Sequence, residues 1–202
     1  MSSAAPRVAA LVLAAGQSRR MGAANKLLAE VDGAPMVQAA VDAALASSAR
    51  PVLVVTGHQP DALRAALAGR DVTLIDNPRF ADGLSTSLKA GIAAMPGDVD
   101  GVVVLLADMP RVRARHIERL LAAFKPAEGR AICVPTFRGK RGNPVLFGRA
   151  LFAGIAGIAG DVGARQLIAA HEDMVVEVAM EDDAVLTDID TPEALARLRS
   201  AS

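Results

Sequence analysis

Leu11-Val-Leu-Ala-Ala-Gly-Gln-Ser-Arg-Arg-Met-Gly-Ala-Ala-Asn-Lys-Leu-Leu28 is an apolar run that breaks into a glycine-bounded loop carrying three cations, Arg19, Arg20 and Lys26. The apolar run begins at Val8, and such continuity suits a central parallel strand buried on both faces. Small residues at its end let a ligand approach the backbone at Ala14, Ala15 and Gly16, whose N–H groups can then meet phosphate oxygens. The stretch reads as the opening strand and loop of a nucleotide-binding α/β fold.

Strand and helix patterns alternate through the following segments. Asp32-Gly33 marks a turn, and Pro35 opens a helix whose apolar positions Val37, Val41 and Leu45 recur every four residues. Pro51–Thr56 predicts a second buried strand, followed by a helix with Leu63 and Leu67 on one face, and Val72–Ile75 a third strand. A turn-rich loop, Asn77–Gly83, leads to a helix with Leu84, Leu88 and Ile92 in register. Val102–Leu106 is a fourth strand ending at Asp108, and the helix after it carries Ile117, Leu120 and Leu121. Short strands at Ile132–Val134 and Val145–Phe147 flank a basic, glycine-rich excursion. Gly154–Gly163 has no helical period and is expected to be irregular and mobile. A helix over Ala164–His171, a strand over Val175–Val178 and a final helix opened by Pro192 complete the pattern. The alternation predicts one Rossmann-like three-layer α/β domain spanning residues 1–202, with a mostly parallel central sheet and ligands outside the strands' carboxyl ends.

Composition narrows the classes of function. The 22 basic and 22 acidic residues cancel, and aromatics are only 2% of the chain, which argues against a nucleic-acid partner. A single cysteine, Cys133, excludes an internal disulfide framework and fits a buried apolar role. No apolar run approaches the roughly 20 residues that span a bilayer, so the expectation is a cytoplasmic protein without a membrane partner. Gly16 and Gly22 are too widely spaced for the Gly-x-Gly-x-x-Gly turn of dinucleotide-dependent oxidoreductases.

Six strings then carry a resemblance. Leu13-Ala-Ala-Gly-x-Ser-x-Arg-Met-Gly22 with Lys26-Leu-Leu, Asn77-Pro with Gly83-Leu-Ser-Thr-Ser-Leu, Leu106-Ala-Asp-Met-Pro110, Arg141-Gly-Asn-Pro-Val145, Gly160-Asp-Val-Gly-Ala-Arg165 and Asp188-Ile-Asp-Thr-Pro192 cover nearly the whole chain. In this order they resemble the nucleotidyltransferases of the molybdenum cofactor pathway, whose sheet is that of the nucleotide-diphospho-sugar transferases. The cytidylyl branch, which transfers CMP from CTP to molybdopterin and releases pyrophosphate, is the most similar. Ala15 stands where the guanylyl relatives tend to have glycine, and its methyl group is expected to favour the smaller base. A GTP-dependent transferase and a non-catalytic module that carries the cofactor to its molybdoenzyme, or to that enzyme's chaperone, remain the alternatives.

The resemblance implies a division of labour, the first half binding nucleotide and the second half the acceptor. Arg19 is expected on the nucleotide phosphates and Lys26 near the α-phosphate, supplying charge to an in-line displacement that needs no protein nucleophile. Asp108 and Asp190 are the expected ligands of Mg²⁺; the alternative is that Asp108 caps the next helix, and either Asp190 or Thr191 the last. Leu13, Ala14, Ala15, Gly16, Gly83 and Ser87 are expected around the nucleotide. Arg141, Asn143 and Arg165 are expected to hold the acceptor. A phosphate monoester is already largely ionised near neutral pH, so His58 is not needed as a base.

Overall fold

A computed structural model describes residues 5–17, 25–158 and 164–200. Arg19, Arg20 and the Gly160–Gly163 part of its string lie outside these described residues. The first strand, β1, covers Val8–Ala14, and each of its seven residues is buried. Its side chains alternate between two cores, as the two-residue strand period requires. Ala10, Val12 and Ala14 pack with Val41, Ile117 and Leu120 on one face, while Leu11 and Leu13 pack with Leu88, Ile155 and Leu167 on the other. Burial on both faces is why the strand is legible as an unbroken apolar run.

After a 3₁₀ turn at Lys26–Leu28, β2 (Glu30–Val31) and β3 (Ala34–Pro35) form a small antiparallel hairpin. Asp32 and Gly33 both take positive φ, 52° and 80°, the geometry of a tight primed turn. Pro35 therefore ends this hairpin, and α1 begins one residue later, at Met36–Leu45. There follow β4 (Val52–Thr56), α2 (Pro60–Ala66), β5 (Thr73–Asp76), α3 (Leu84–Ala93), β6 (Gly101–Leu106) and α4 (Ala114–Ala123). The chain continues through β7 (Ile132–Phe137), β8 (Lys140–Arg141), β9 (Val145–Gly148), α5 (Phe152–Gly157), α6 (Arg165–Ala170), β10 (Val175–Ala179) and α7 (Pro192–Ser200).

The main sheet runs β10-β7-β9-β6-β1-β4-β5, with β8 paired to β7. β1 is parallel to both β4 and β6, β4 to β5, and β10 to β7. β9 runs antiparallel between β6 and β7. The expected α/β class with a mostly parallel central sheet holds. The chain leaves β1 in one direction for β4 and β5, then returns to its other side for β6. That reversal opens a crevice beyond the carboxyl ends of β1 and β6, where open α/β sheets bind ligands.

One expectation is corrected. Phe152–Gly157 is helical where an irregular stretch from Gly154 was expected, because the fully buried Ile155 anchors a turn otherwise built of small residues. Residues 159–163 of that stretch lie outside the described residues.

Candidate active site

Lys26 and Leu27 are the buried members of the 3₁₀ turn, and Lys26 is only 9% exposed. Asn25 precedes it and accepts the Leu27 N–H on its side-chain oxygen at 3.1 Å, fixing the turn that aims Lys26 into the crevice. The Lys26 ammonium donates to Asp108 Oδ2 at 2.7 Å and to Asp190 Oδ1 at 2.6 Å. Burial alone would lower its pKa, but the charges and hydrogen bonds of Asp108 and then Asp190 outweigh burial and hold it above the ordinary lysine value. It is an ammonium ion throughout the neutral range.

Backbone contacts explain how residues so distant in sequence meet. Asp108 follows β6 by two residues, and its carbonyl accepts the Ile189 N–H at 2.9 Å, docking the C-terminal segment on the sheet edge. Ile189 is buried against Val31, Met36 and Leu195, so its neighbours Asp188 and Asp190 turn outward and toward the site respectively. Of the capping alternatives the one at Thr191 is realised, whereas Asp108 and Asp190 bond Lys26. Thr191 Oγ1 accepts the Ala194 N–H at 3.2 Å and caps α7, while at the start of α4 the Arg113 N–H donates to His116 Nδ1 at 3.0 Å. Asp108 Oδ1 is buried and has no hydrogen-bond partner among the described residues. An unsatisfied carboxylate oxygen beside a second carboxylate is a donor set that fits a hard divalent cation.

One cavity opens on this cluster and a second adjoins it. The first, about 390 Å³, is lined by Ala15, Gly16, Gln17, Lys26, Phe80, Gly83, Ser87 and Asp108 among others. Gly83 has φ 108°, so its backbone suits glycine, and a Cβ on Gly16 would meet nothing within 4 Å. Protein packing thus leaves the space above Gly16 open on the cavity side. Ala15 lines the cavity, but its methyl group, 3% exposed, lies in the core with Leu13, Leu53 and Val55. It shapes the wall from behind instead of projecting into the space. Ala14 packs in the opposite core and is not a lining residue.

The second cavity, about 490 Å³, is bounded by Leu88, Val104, Val134, Val145, Phe147 and Ile168, with Arg141, Asn143 and Arg165 at its polar side. Leu13, Leu84 and Leu106 line both cavities, so the two adjoin. Arg141 reaches the rim with its guanidinium bonded to Glu172 and, at 2.7 Å, Glu177. Those bonds hold its pKa far above the ordinary value and leave Asn143 and Arg165 as the more available polar groups. The Asn143 N–H donates to Val185 O at 2.9 Å, tying this loop to the segment that delivers Asp190. A Cβ on Gly142 would lie 2.1 Å from the same carbonyl, so the loop approaches as closely as glycine permits.

Of the residues singled out in the sequence, Lys26, Asp108 and Asp190 are in contact, and Lys26, Asp108, Ala15, Gly16, Gly83 and Ser87 line one cavity. Leu84 and Phe80 were missed as cavity walls. Leu84 is 41% exposed despite its place in an apolar helical stripe, and only the two cavities beside it account for that. His58, which tempts as a base, lies against the Phe80 ring with centroids 6.1 Å apart.

A crevice at the switch of a mostly parallel sheet, with a buried lysine and two carboxylates beside it, is an arrangement that fits an enzyme of the nucleotidyltransferase type. The chain belongs to the family of MobA-like NTP transferase domains, which its residues 10–175 match. It is 31% identical over 207 residues to the purine catabolism protein PucB of Bacillus subtilis, covering 97% of this chain and 98% of that one. It is 26% identical over 198 residues to a protein named nicotine blue oxidoreductase from Paenarthrobacter nicotinovorans, covering 96% and 97%. Among solved structures, Rv0371c of Mycobacterium tuberculosis H37Rv superimposes with a TM-score of 0.85 at 26% identity, covering 98% of this chain and all of that one. The same mycobacterial protein has been solved in complex with manganese, at a TM-score of 0.80. No helix among the described residues is long and apolar enough to cross a membrane.

Proposed function

We propose that this nucleotidyltransferase moves CMP from CTP to the terminal phosphate of molybdopterin, releasing pyrophosphate. The observation that carries the reading is the pair of adjoining cavities with Lys26 and Asp108 in the wall of one and Asn143 and Arg165 in the wall of the other. Two substrates held in such cavities meet at a shared wall, which suits direct transfer between them. The order of motifs along the chain supports the acceptor, and Ser87 in the nucleotide cavity supports the pyrimidine.

In the reaction an oxygen of the acceptor phosphate attacks the α-phosphorus, the new P–O bond forms, and the bond to pyrophosphate breaks. Three anionic groups converge, so the acceleration comes from alignment and charge neutralisation. The open backbone at Gly16 and the Gly83 turn admit the nucleotide close to the main chain. Lys26, kept protonated by its two carboxylates, supplies a compact positive charge at the reacting phosphate. Arg19, outside the described residues, is assigned to the phosphates in the same reading. Asp108 and Asp190 would hold Mg²⁺, which when bound neutralises charge on the triphosphate oxygens; the manganese complex of the mycobacterial relative supports a divalent ion. The product's receiver, a molybdoenzyme or its chaperone, is the proposed macromolecular partner.

Pyrophosphate release measured with each of the four nucleoside triphosphates, Mg²⁺ and molybdopterin tests the proposal. CTP should be preferred. A GTP preference would move the chain to the guanylyl branch, and no turnover with any of the four would leave the carrier reading.

A further inference from the structure

We propose that Asn77, which does not line the nucleotide cavity, sets the hydrogen-bonding polarity of Ser87, which does, and so governs which base edge the cavity accepts. The inference rests on the CTP reading for its direction and on the structure for its geometry.

Asn77 follows β5 and is 4% exposed. The backbone N–H of Arg79 donates to its Oδ1 at 3.0 Å. An N–H can only donate, so this bond fixes which end of the amide is oxygen. The NH₂ end therefore faces α3, donating to Thr86 Oγ1 at 2.9 Å and to Ser87 Oγ at 3.0 Å. Both amide protons are in use. Thr86 Oγ1 also lies 2.9 Å from the carbonyls of Arg79 and Gly83, which can only accept, so the Thr86 proton is committed to backbone.

Ser87 differs from its neighbour. It is 3% exposed, lines the nucleotide cavity and receives a proton from Asn77 on one lone pair. Because the proton between Asn77 and Ser87 comes from the amide, the Ser87 hydroxyl keeps its own for another acceptor. A base that offers an acceptor there, as cytosine does with N3 and O2, is matched. Guanine has one acceptor, O6, beside the donors N1–H and N2–H₂ on its pairing edge, where cytosine has two acceptors, and the hydroxyl proton therefore favours cytosine.

An aspartate at position 77 inverts this arrangement with almost no change of shape. One carboxylate oxygen still accepts from Arg79, but the other now requires a proton from the Ser87 hydroxyl, leaving only lone pairs toward the cavity. Asn77→Asp should therefore raise KM for CTP by about tenfold, the loss of one buried hydrogen bond. It should also shift the CTP to GTP ratio of kcat/KM toward GTP by at least as much.

The experiment measures kcat and KM with CTP and GTP for wild type, Asn77→Asp, Ser87→Ala and the double variant, with a thermal melt of each. The expected result is a shifted nucleotide ratio in Asn77→Asp that vanishes in the Ser87→Ala background. An unchanged ratio in folded Asn77→Asp, or a full shift in the absence of the serine hydroxyl, would overturn the proposal. If Asn77→Asp does not fold, Asn77→Ala tests the same coupling, with a KM increase expected only where Ser87 is present. A wild type that does not prefer CTP would refute the CTP reading alone, and the coupling would then be judged from non-additivity with the nucleotide it does use.

Discussion

Replacing Lys26 by methionine removes a charge without emptying the space. Its ammonium sits between Asp108 and Asp190, whose side chains are 22% and 30% exposed against 10% for the lysine. Removing one member of a fully buried ion pair costs about 3–5 kcal/mol, and partial access of water to both carboxylates brings the expected loss here to about 2 kcal/mol. For a chain of this size that lowers Tm by about 4–8 °C. The more discriminating readout is the response to Mn²⁺ without nucleotide. In wild type a metal ion meets carboxylates already bonded to the Lys26 ammonium, whereas in Lys26→Met that ammonium is gone. Metal at ten times its Kd should return about 1.4 kcal/mol to the variant, visible as a rise of several degrees, and raise the wild-type Tm much less. Turnover should fall by about 10²–10³ even with the metal restored, as for loss of one preorganised transition-state donor. Equal Mn²⁺ responses in the two proteins, or an unchanged Tm in the variant, would show that Lys26 does not serve as the carboxylates' counter-ion.

Other perturbations test separate parts of the site. Gly142→Ala pushes a methyl group toward the Val185 carbonyl, 2.1 Å away before relaxation; it should cost about 1–3 kcal/mol in urea denaturation and weaken acceptor binding more than nucleotide binding. Ala15→Gly opens the wall beside Gly57 and Phe80, and should relax discrimination against GTP; an unchanged CTP to GTP ratio would remove Ala15 from base selection. Burial lowers the His116 pKa, outweighing the opposing pull of Asp182, with Arg115 and Arg113 adding to the lowering. Its contribution to stability is thus complete above about pH 6.5 and lost as pH falls from there toward the folded pKa. The urea midpoint should fall between pH 7.5 and 5.5 in wild type and less steeply in His116→Gln. The Cys133 thiol, pushed up to about 12 by burial, should resist alkylation in the native protein and react on denaturation.

The legible parts of this molecule are those where one physical demand acts on a contiguous stretch. β1, β4 and β6 are buried on both faces and so read as apolar runs, and α1, α3 and α4 carry their stripes at helical spacing. The hairpin turn at Asp32-Gly33 announces itself because few residues tolerate its φ. α5 was illegible because a single buried side chain, Ile155, holds a helix whose other residues are mostly small. The direction of β9 depends on partners far along the chain, which no local pattern encodes. Lys26, Asp108 and Asp190 could be singled out through resemblance, but nothing in their spacing says that one ammonium lies between two carboxylates. The pairing of Arg141 with Glu172 and Glu177 was likewise invisible, since charged residues in glycine-rich loops give no sign of their partners. Asn77 stands out in the sequence only as part of a turn and of one resemblance string, because its use depends on two hydroxyls nine and ten residues later.

The bond between Lys26 and Asp190 joins residues 164 apart. Everything that builds the sheet comes before Asp190, since β10 ends at Ala179. During synthesis, therefore, a chain can complete its central layer while the lysine still lacks one of its two carboxylates. Reactive geometry arrives only when the segment at Ile189 docks beside Asp108 and α7 covers it. Competence is thereby coupled to docking of this late segment, and loosening α7 should silence the enzyme while leaving the sheet intact.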